Sequence, residues 1–297
     1  MLMEVLQRLD RLPPRLSSYR YVGFGGIYFT DFVHAHRHLG IADMISIERS
    51  FPKERFDFNN PLACITLRFG SAGEHLPSIL AAHRVATVPA IFWLDYDGVM
   101  DTDVLADITT LASAATPLTF FAVTVNCDPG ALNTRLDDFK RHLGDAAPPD
   151  IIEAAQLGGW KLGNVDCRLM LGTVASALVE RNAALPPEEQ LRYRQLVRFH
   201  YADGAQMMTA GGILHTDDQV EAIDEAMVGL PQVRAEGEDA LLVDAPVLTA
   251  REVRHLSAQL PRPAEQPPTS PGVPSSDAAR FAALYRQYPL YAPVEIL

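Results

Sequence analysis

The sequence predicts an α/β fold: a doubly wound, mostly parallel seven-stranded sheet ending in an antiparallel hairpin, with a helical insertion and a C-terminal extension. Three observations carry this. From Arg20 to Asp128, short β-type runs alternate strictly with helix-length runs, the rhythm of right-handed βαβ units. Two of those runs, IFWLD at 91–95 and LTFFAVTV at 118–125, are apolar without alternation, as strands covered on both faces must be. Farther on, two β-type runs meet at Ala202, Asp203, Gly204 and Ala205, and Asp-Gly is a strong hairpin signal.

The elements follow in order. Residues 1–19 form an N-terminal helical segment. The core, 20–128, holds strands at 21–24, 44–48, 63–69, 90–95 and 118–126, separated by helices at 28–39, 74–83 and 103–114. A polar, helical insertion or cap, 129–190, contains a strongly apolar helix at 169–180. The hairpin, 191–215, pairs the runs 192–201 and 206–214. An α/β extension, 216–260, has a short strand at 241–243 and a T-x-x-E capping box, Thr249 with Glu252, opening a helix toward Leu260. The prolines of 261–276 read as a linker, and 277–297 as a last amphipathic helix with a tail, docking through Tyr285, Tyr288 and Tyr291.

Composition narrows the function. With 25 Lys and Arg against 37 Asp and Glu, the net charge of −12 repels phosphate backbones and anionic membranes, so extended nucleic-acid binding is not expected. At 48% hydrophobic content the chain can pack a large core. Cys64, Cys127 and Cys167 show no CxxC spacing, which suits a reducing cytoplasm. No run reads as a membrane span or a leader.

The glycines Gly23, Gly25 and Gly26 follow the first strand, and Glu48 closes the second. Glycines let the backbone bend and approach a ligand, and an acid on the next strand tip can grip a ribose diol, so the pattern points to a nucleoside cradle. Polar residues also follow later strands: Asp95, Tyr96 and Asp97 after the fourth, and Asn126, Cys127 and Asp128 after the fifth. In a doubly wound sheet these face one crevice.

Together these parts resemble the class I S-adenosylmethionine-dependent methyltransferases, whose sheet carries a reversed strand beside its edge, over roughly 21–214. The resemblance implies S-adenosylmethionine as cofactor, cradled by Gly23, Phe24, Gly25, Gly26 and Tyr28. Glu48 matches the acid that holds the ribose. Gly70, Ser71 and Ala72, followed by Glu74, Leu76 and Pro77, are similar to the G-D-A-x-E-x-L-P turn of small-molecule O-methyltransferases, with Ser71 in place of the acid. Departures stand beside these matches: the glycines are offset from G-x-G-x-G, and Tyr21 and Val22 replace the acid before the first glycine. The wording from Tyr21 through Glu48 also resembles a group of bacterial proteins known by name only as O-methyltransferases, some encoded near phage-defence genes. A small-molecule oxygen nucleophile is the acceptor class this implies.

Asp95 and Asp97 are the candidate catalytic residues. Asp95 with Asn126 and Asp128 could bind Mg2+ and hold a substrate hydroxyl as alkoxide, as a similar D-x-D does in metal-dependent O-methyltransferases. The other reading is that these acids make turns and helix caps. Under either, Asp95 is expected to line the crevice. His34 and His38 share a helix face at zinc-binding spacing, or simply face solvent. Tyr28 and Asp31 stand near the glycine turn and could contact the cofactor's methionine ammonium, though a helix N-terminus favours an acid without any ligand. Asn59, Asn60 and Pro61 read as a turn. The rival readings are a nucleoside-binding assembly subunit with a protein partner or second copy, and an enzyme that cleaves the nucleotide.

Overall fold

The computed structural model describes residues 1–49, 52–86, 88–202, 204–263 and 265–288. They form two compact units, Met1–Leu241 and Leu242–Leu297. Eight strands build one sheet: β1 Arg20–Gly23, β2 Asp43–Glu48, β3 Ile65–Phe69, β4 Ala90–Val99, β5 Phe120–Asn126, β6 Arg192–Ala202, β7 Gln206–His215 and β8 Leu241–Val243. Their order is β3-β2-β1-β4-β5-β7-β6-β8. Strands β1 to β5 pair in parallel, and β7 runs antiparallel to both β5 and β6. The fold class is therefore as the sequence predicts, with one correction: the sheet has eight strands, not seven. The unpaired backbone groups of an edge strand can take a short further neighbour.

Local chemistry explains most boundaries. Leu118 adopts φ +63° and begins no strand, so β5 opens at Phe120. Strand β4 outlasts its apolar run, continuing through an irregularity between Asp95 and Val99 that re-aims the side chains there. In the hairpin, Gly204 has φ +78°, a turn conformation that glycine adopts freely; Asp203 lies outside the described residues.

The first unit's helices are α1 Leu2–Leu9, α2 Thr30–Leu39, α3 Lys53–Asn59, α4 Ala72–Ala86, α5 Thr102–Ala114, α6 Arg135–Leu143, α7 Lys161–Asn182 and α8 Val220–Met227. Helix α3 occupies residues that the sequence leaves partly as a turn. Asp101 caps α5, accepting from the Val104 amide at 2.9 Å. Helix α7 runs far beyond the apolar stretch 169–180. It is also long and apolar enough to cross a membrane, contrary to the sequence reading that no run is. Here that apolarity covers the sheet: Leu162, Val165, Met170, Val174 and Leu178 are buried in the core with Phe92, Phe121 and Val123.

In the second unit, α9 Ala250–Ser257 opens with the expected capping box, the Thr249 amide donating to Glu252 Oε2 at 2.7 Å. Helix α10 Ser275–Leu284 buries Ala278 and Phe281 against Val253 and Leu256. Tyr288 meets Phe281 edge-on at 5.0 Å and donates to the Pro246 carbonyl at 2.6 Å, while Tyr291 lies outside the described residues.

Candidate functional site

Where β1 ends, the chain turns through Phe24, Gly25 and Gly26, and the turn is locked to β2. Gly25 N–H donates to Ser46 Oγ at 2.9 Å, and Ser46 Oγ donates to Glu48 Oε1 at 2.6 Å. A Cβ on Gly25 would overlap the Phe29 ring and lie 2.9 Å from Ser46 Oγ, so only glycine fits. Gly26 has φ +56°. Glu48 is 5% exposed. Burial raises its pKa, opposed by the Ser46 hydroxyl and the Gly25 and Gly26 amides. The glycine turn and the acid thus form one hydrogen-bonded unit.

A cavity of about 540 Å³ opens against this unit at the carboxyl ends of β1 to β4. Of the expected residues, Phe24, Gly25, Gly26, Glu48, Gly70, Ala72, Asp95 and Asp97 line it. The others are elsewhere. Gly23 lies beneath, where a Cβ would come 3.0 Å from the Trp93 carbonyl. Tyr28 is 81% exposed and is not in the lining. Ser71 caps α4 in a reciprocal pair: its amide donates to Glu74 Oε2 at 2.9 Å, and the Glu74 amide to Ser71 Oγ at 3.3 Å. Gly70 has φ +147°, and a Cβ there would collide with Glu74 Oε2.

Strand β4 supplies the opposite wall. Asp95 is exposed toward the cavity; the protein around it strips part of its hydration, which raises its pKa, while the Thr124 hydroxyl donates to it and Asp97 adds repulsion. Thr124 in turn accepts from Trp93 Nε1 at 3.1 Å and is 2.8 Å from Thr209 Oγ1, inside the sheet. Tyr96 packs edge-on against Phe24 at 5.1 Å and donates to buried Asp107 at 2.6 Å. Tyr96, expected at the crevice with its two neighbouring acids, lines the cavity too, and so do Arg49, Arg55, Asp101 and Asp103, which the sequence does not mark as site residues. Arg49 directly follows the strand-tip acid Glu48, and that adjacency is the signal for it. Arg55 sits on α3, and no local pattern marked it.

The magnesium set does not fit. Asn126 Oδ1 accepts from the Asp128 amide at 2.8 Å, and Asp128 Oδ1 from the Gly130 amide at 2.9 Å, so both side chains shape the turn after β5. Among the described residues no group of three His, Cys, Asp or Glu is placed to hold a metal. His34 and His38 stack ring on ring at 5.5 Å on the exposed face of α2.

Five parallel strands, a reversed seventh strand between the fifth and sixth, and a cavity over the glycine turn define the class of S-adenosylmethionine-dependent methyltransferases. The chain belongs to the family described as "Putative O-methyltransferase", whose pattern matches residues 1–296. No curated protein matches it. Solved structures similar to it include Trm1 from Pyrococcus horikoshii with S-adenosyl-L-methionine, at 11% identity and TM-score 0.47, covering 96% of this chain and 75% of that one. Another is the O-methyltransferase TomG from Streptomyces achromogenes, involved in tomaymycin synthesis, with the same cofactor: 16% identity, TM-score 0.38, 71% and 79% covered. A third, LepI in complex with S-adenosylmethionine, is 12% identical with TM-score 0.40; the match covers 71% of this chain and 46% of LepI, less than half its length.

Proposed function

We propose that this protein binds S-adenosylmethionine across the glycine turn and transfers its methyl group to the hydroxyl oxygen of a small molecule. The observation that carries the reading is the buried Glu48 carboxylate, joined through Ser46 to the Gly25 amide and facing a cavity of about 540 Å³. That volume lies within the range of small-ligand sites, roughly 300–1,000 Å³. Glu48 would accept from the ribose hydroxyls, Gly70 and Ala72 would flank the base, and Phe24 with Tyr96 would close the apolar side.

When bound, S-adenosylmethionine would supply an electrophilic sulfonium methyl group, whose loss to an acceptor oxygen would leave the carbon–sulfur electron pair on a thioether. The acceptor's proton goes to the Asp95 carboxylate, whose raised pKa makes it the stronger base. Beyond that, the protein's work is orientation and exclusion of water. No step passes through a divalent cation, because Asn126 and Asp128 are committed to their turn.

Calorimetric titration with S-adenosylmethionine and S-adenosylhomocysteine tests the reading. Both are expected to bind, and Glu48→Gln is expected to weaken both by about tenfold or more, since a charge-assisted hydrogen bond is lost. Absence of binding by the wild-type chain would sink the proposal.

A further inference from the structure

The cradle has a second carboxylate that the transfer does not use. Asp31 stands in the first turn of α2, and the Tyr21 hydroxyl, wholly buried in β1, donates to its Oδ2 at 2.6 Å. That same oxygen lies 3.4 Å from where a Cβ on Gly23 would sit. The carboxylate is therefore held against the end of β1 at Gly23, beside the Trp93 carbonyl and the Tyr21 ring and directly behind the glycine turn. Burial pushes Asp31 up to about 6, opposed by the Tyr21 hydroxyl and by the Phe32 and Asp31 amides, while Asp95 adds repulsion. Each group that favours its charge is a neutral donor, and its charged neighbour Asp95 lines the cavity. A carboxylate in such surroundings gains most from a cation that arrives with the ligand.

The ligand's shape indicates which cation. In the sulfonium cofactor the nucleoside and the amino-acid arm leave sulfur in different directions. With the ribose held at Glu48 on β2, the arm would cross β1 toward its β4 side, and Asp31 lies on that side, against Gly23 and within electrostatic reach of Asp95. Tyr28, the other residue expected there, is 81% exposed. We infer that Asp31, steadied by Tyr21, binds the primary ammonium of the cofactor's amino-acid arm, an assignment that rests on the cofactor reading above.

Two probes isolate that contact: S-adenosylhomocysteine, and 5′-methylthioadenosine, an adenosyl thioether without the arm. Each is titrated calorimetrically against the wild type, Asp31→Asn and Tyr21→Phe. Asp31→Asn is expected to weaken S-adenosylhomocysteine about ten- to a hundredfold while changing methylthioadenosine less than about twofold. Tyr21→Phe should shift the first probe alone, in the same direction and by less. Retained methylthioadenosine binding serves as the folding control. Equal losses for both probes, no loss for S-adenosylhomocysteine, or a wild type that binds both probes equally would overturn the inference and leave the cofactor reading standing. A wild type that binds neither probe would overturn both.

Discussion

Glu48 is buried, ionisable and hydrogen-bonded through Ser46 to the turn it faces, so losing it would disturb ligand and turn together. Asp95 differs in kind: it opens to the cavity, and its Thr124 partner is anchored inside the sheet by Trp93 and Thr209. Such a carboxylate can take a proton without the fold noticing. Asp95→Asn is therefore expected to lower kcat about a hundred- to ten-thousandfold while keeping S-adenosylhomocysteine affinity, as seen by single-turnover kinetics beside calorimetry. Unchanged kcat would remove Asp95 from proton transfer. The candidates Gly25, Glu48 and Asp95 are legible because a doubly wound sheet brings the residues that follow its parallel strands to one crevice. Ser71, Asn126 and Asp128 looked equally functional but cap a helix or a turn. Small polar side chains serve backbone amides as readily as ligands, and sequence spacing does not separate the two uses.

At the scale of elements, α7 shows how an apolar helix can carry an ionisable group. Asp166 is 1% exposed, and its Oδ2 has no hydrogen-bond partner. Burial holds its pKa well above the usual 3.8. The folded state thus favours the protonated acid, so its contribution to stability is complete below the ordinary value and is lost as pH rises toward the folded one. Asp166→Asn removes that titration. The variant should melt at or below the wild type near pH 4 and a few degrees above it near pH 8. A melting difference independent of pH would show that Asp166 is not the group responsible. Element lengths were less legible than element order. Helix α3 was missed because its polar sequence shows little apolar periodicity, with Phe56 its only buried residue. The extension of β4 past Asp95 follows an irregularity that breaks the two-residue alternation, and it brings Asp97 and Gly98 to the cavity wall.

For the whole molecule, every cavity residue belongs to the unit Met1–Leu241, so the proposed cofactor binding is assigned to that unit alone. A ligand that binds only the folded state stabilises it by about 2.7 kcal/mol at a hundredfold excess over Kd. S-adenosylhomocysteine at that excess is accordingly expected to raise the melting midpoint by several degrees, and Glu48→Gln, binding about tenfold more weakly or worse, to lose at least about half of the shift. Equal shifts in both proteins would place the ligand away from Glu48. The sequence by itself determined the alternating strands, the reversed hairpin, the glycine turn and the acid at the tip of β2, because apolar periodicity and backbone freedom are local properties of a chain. Only the tertiary structure decided which polar residues share a cavity. The sheet order sets the distances between distant segments, and it brought Asp31 to Tyr21 and Thr124 to Asp95 while leaving Asn126 and Asp128 to their turn.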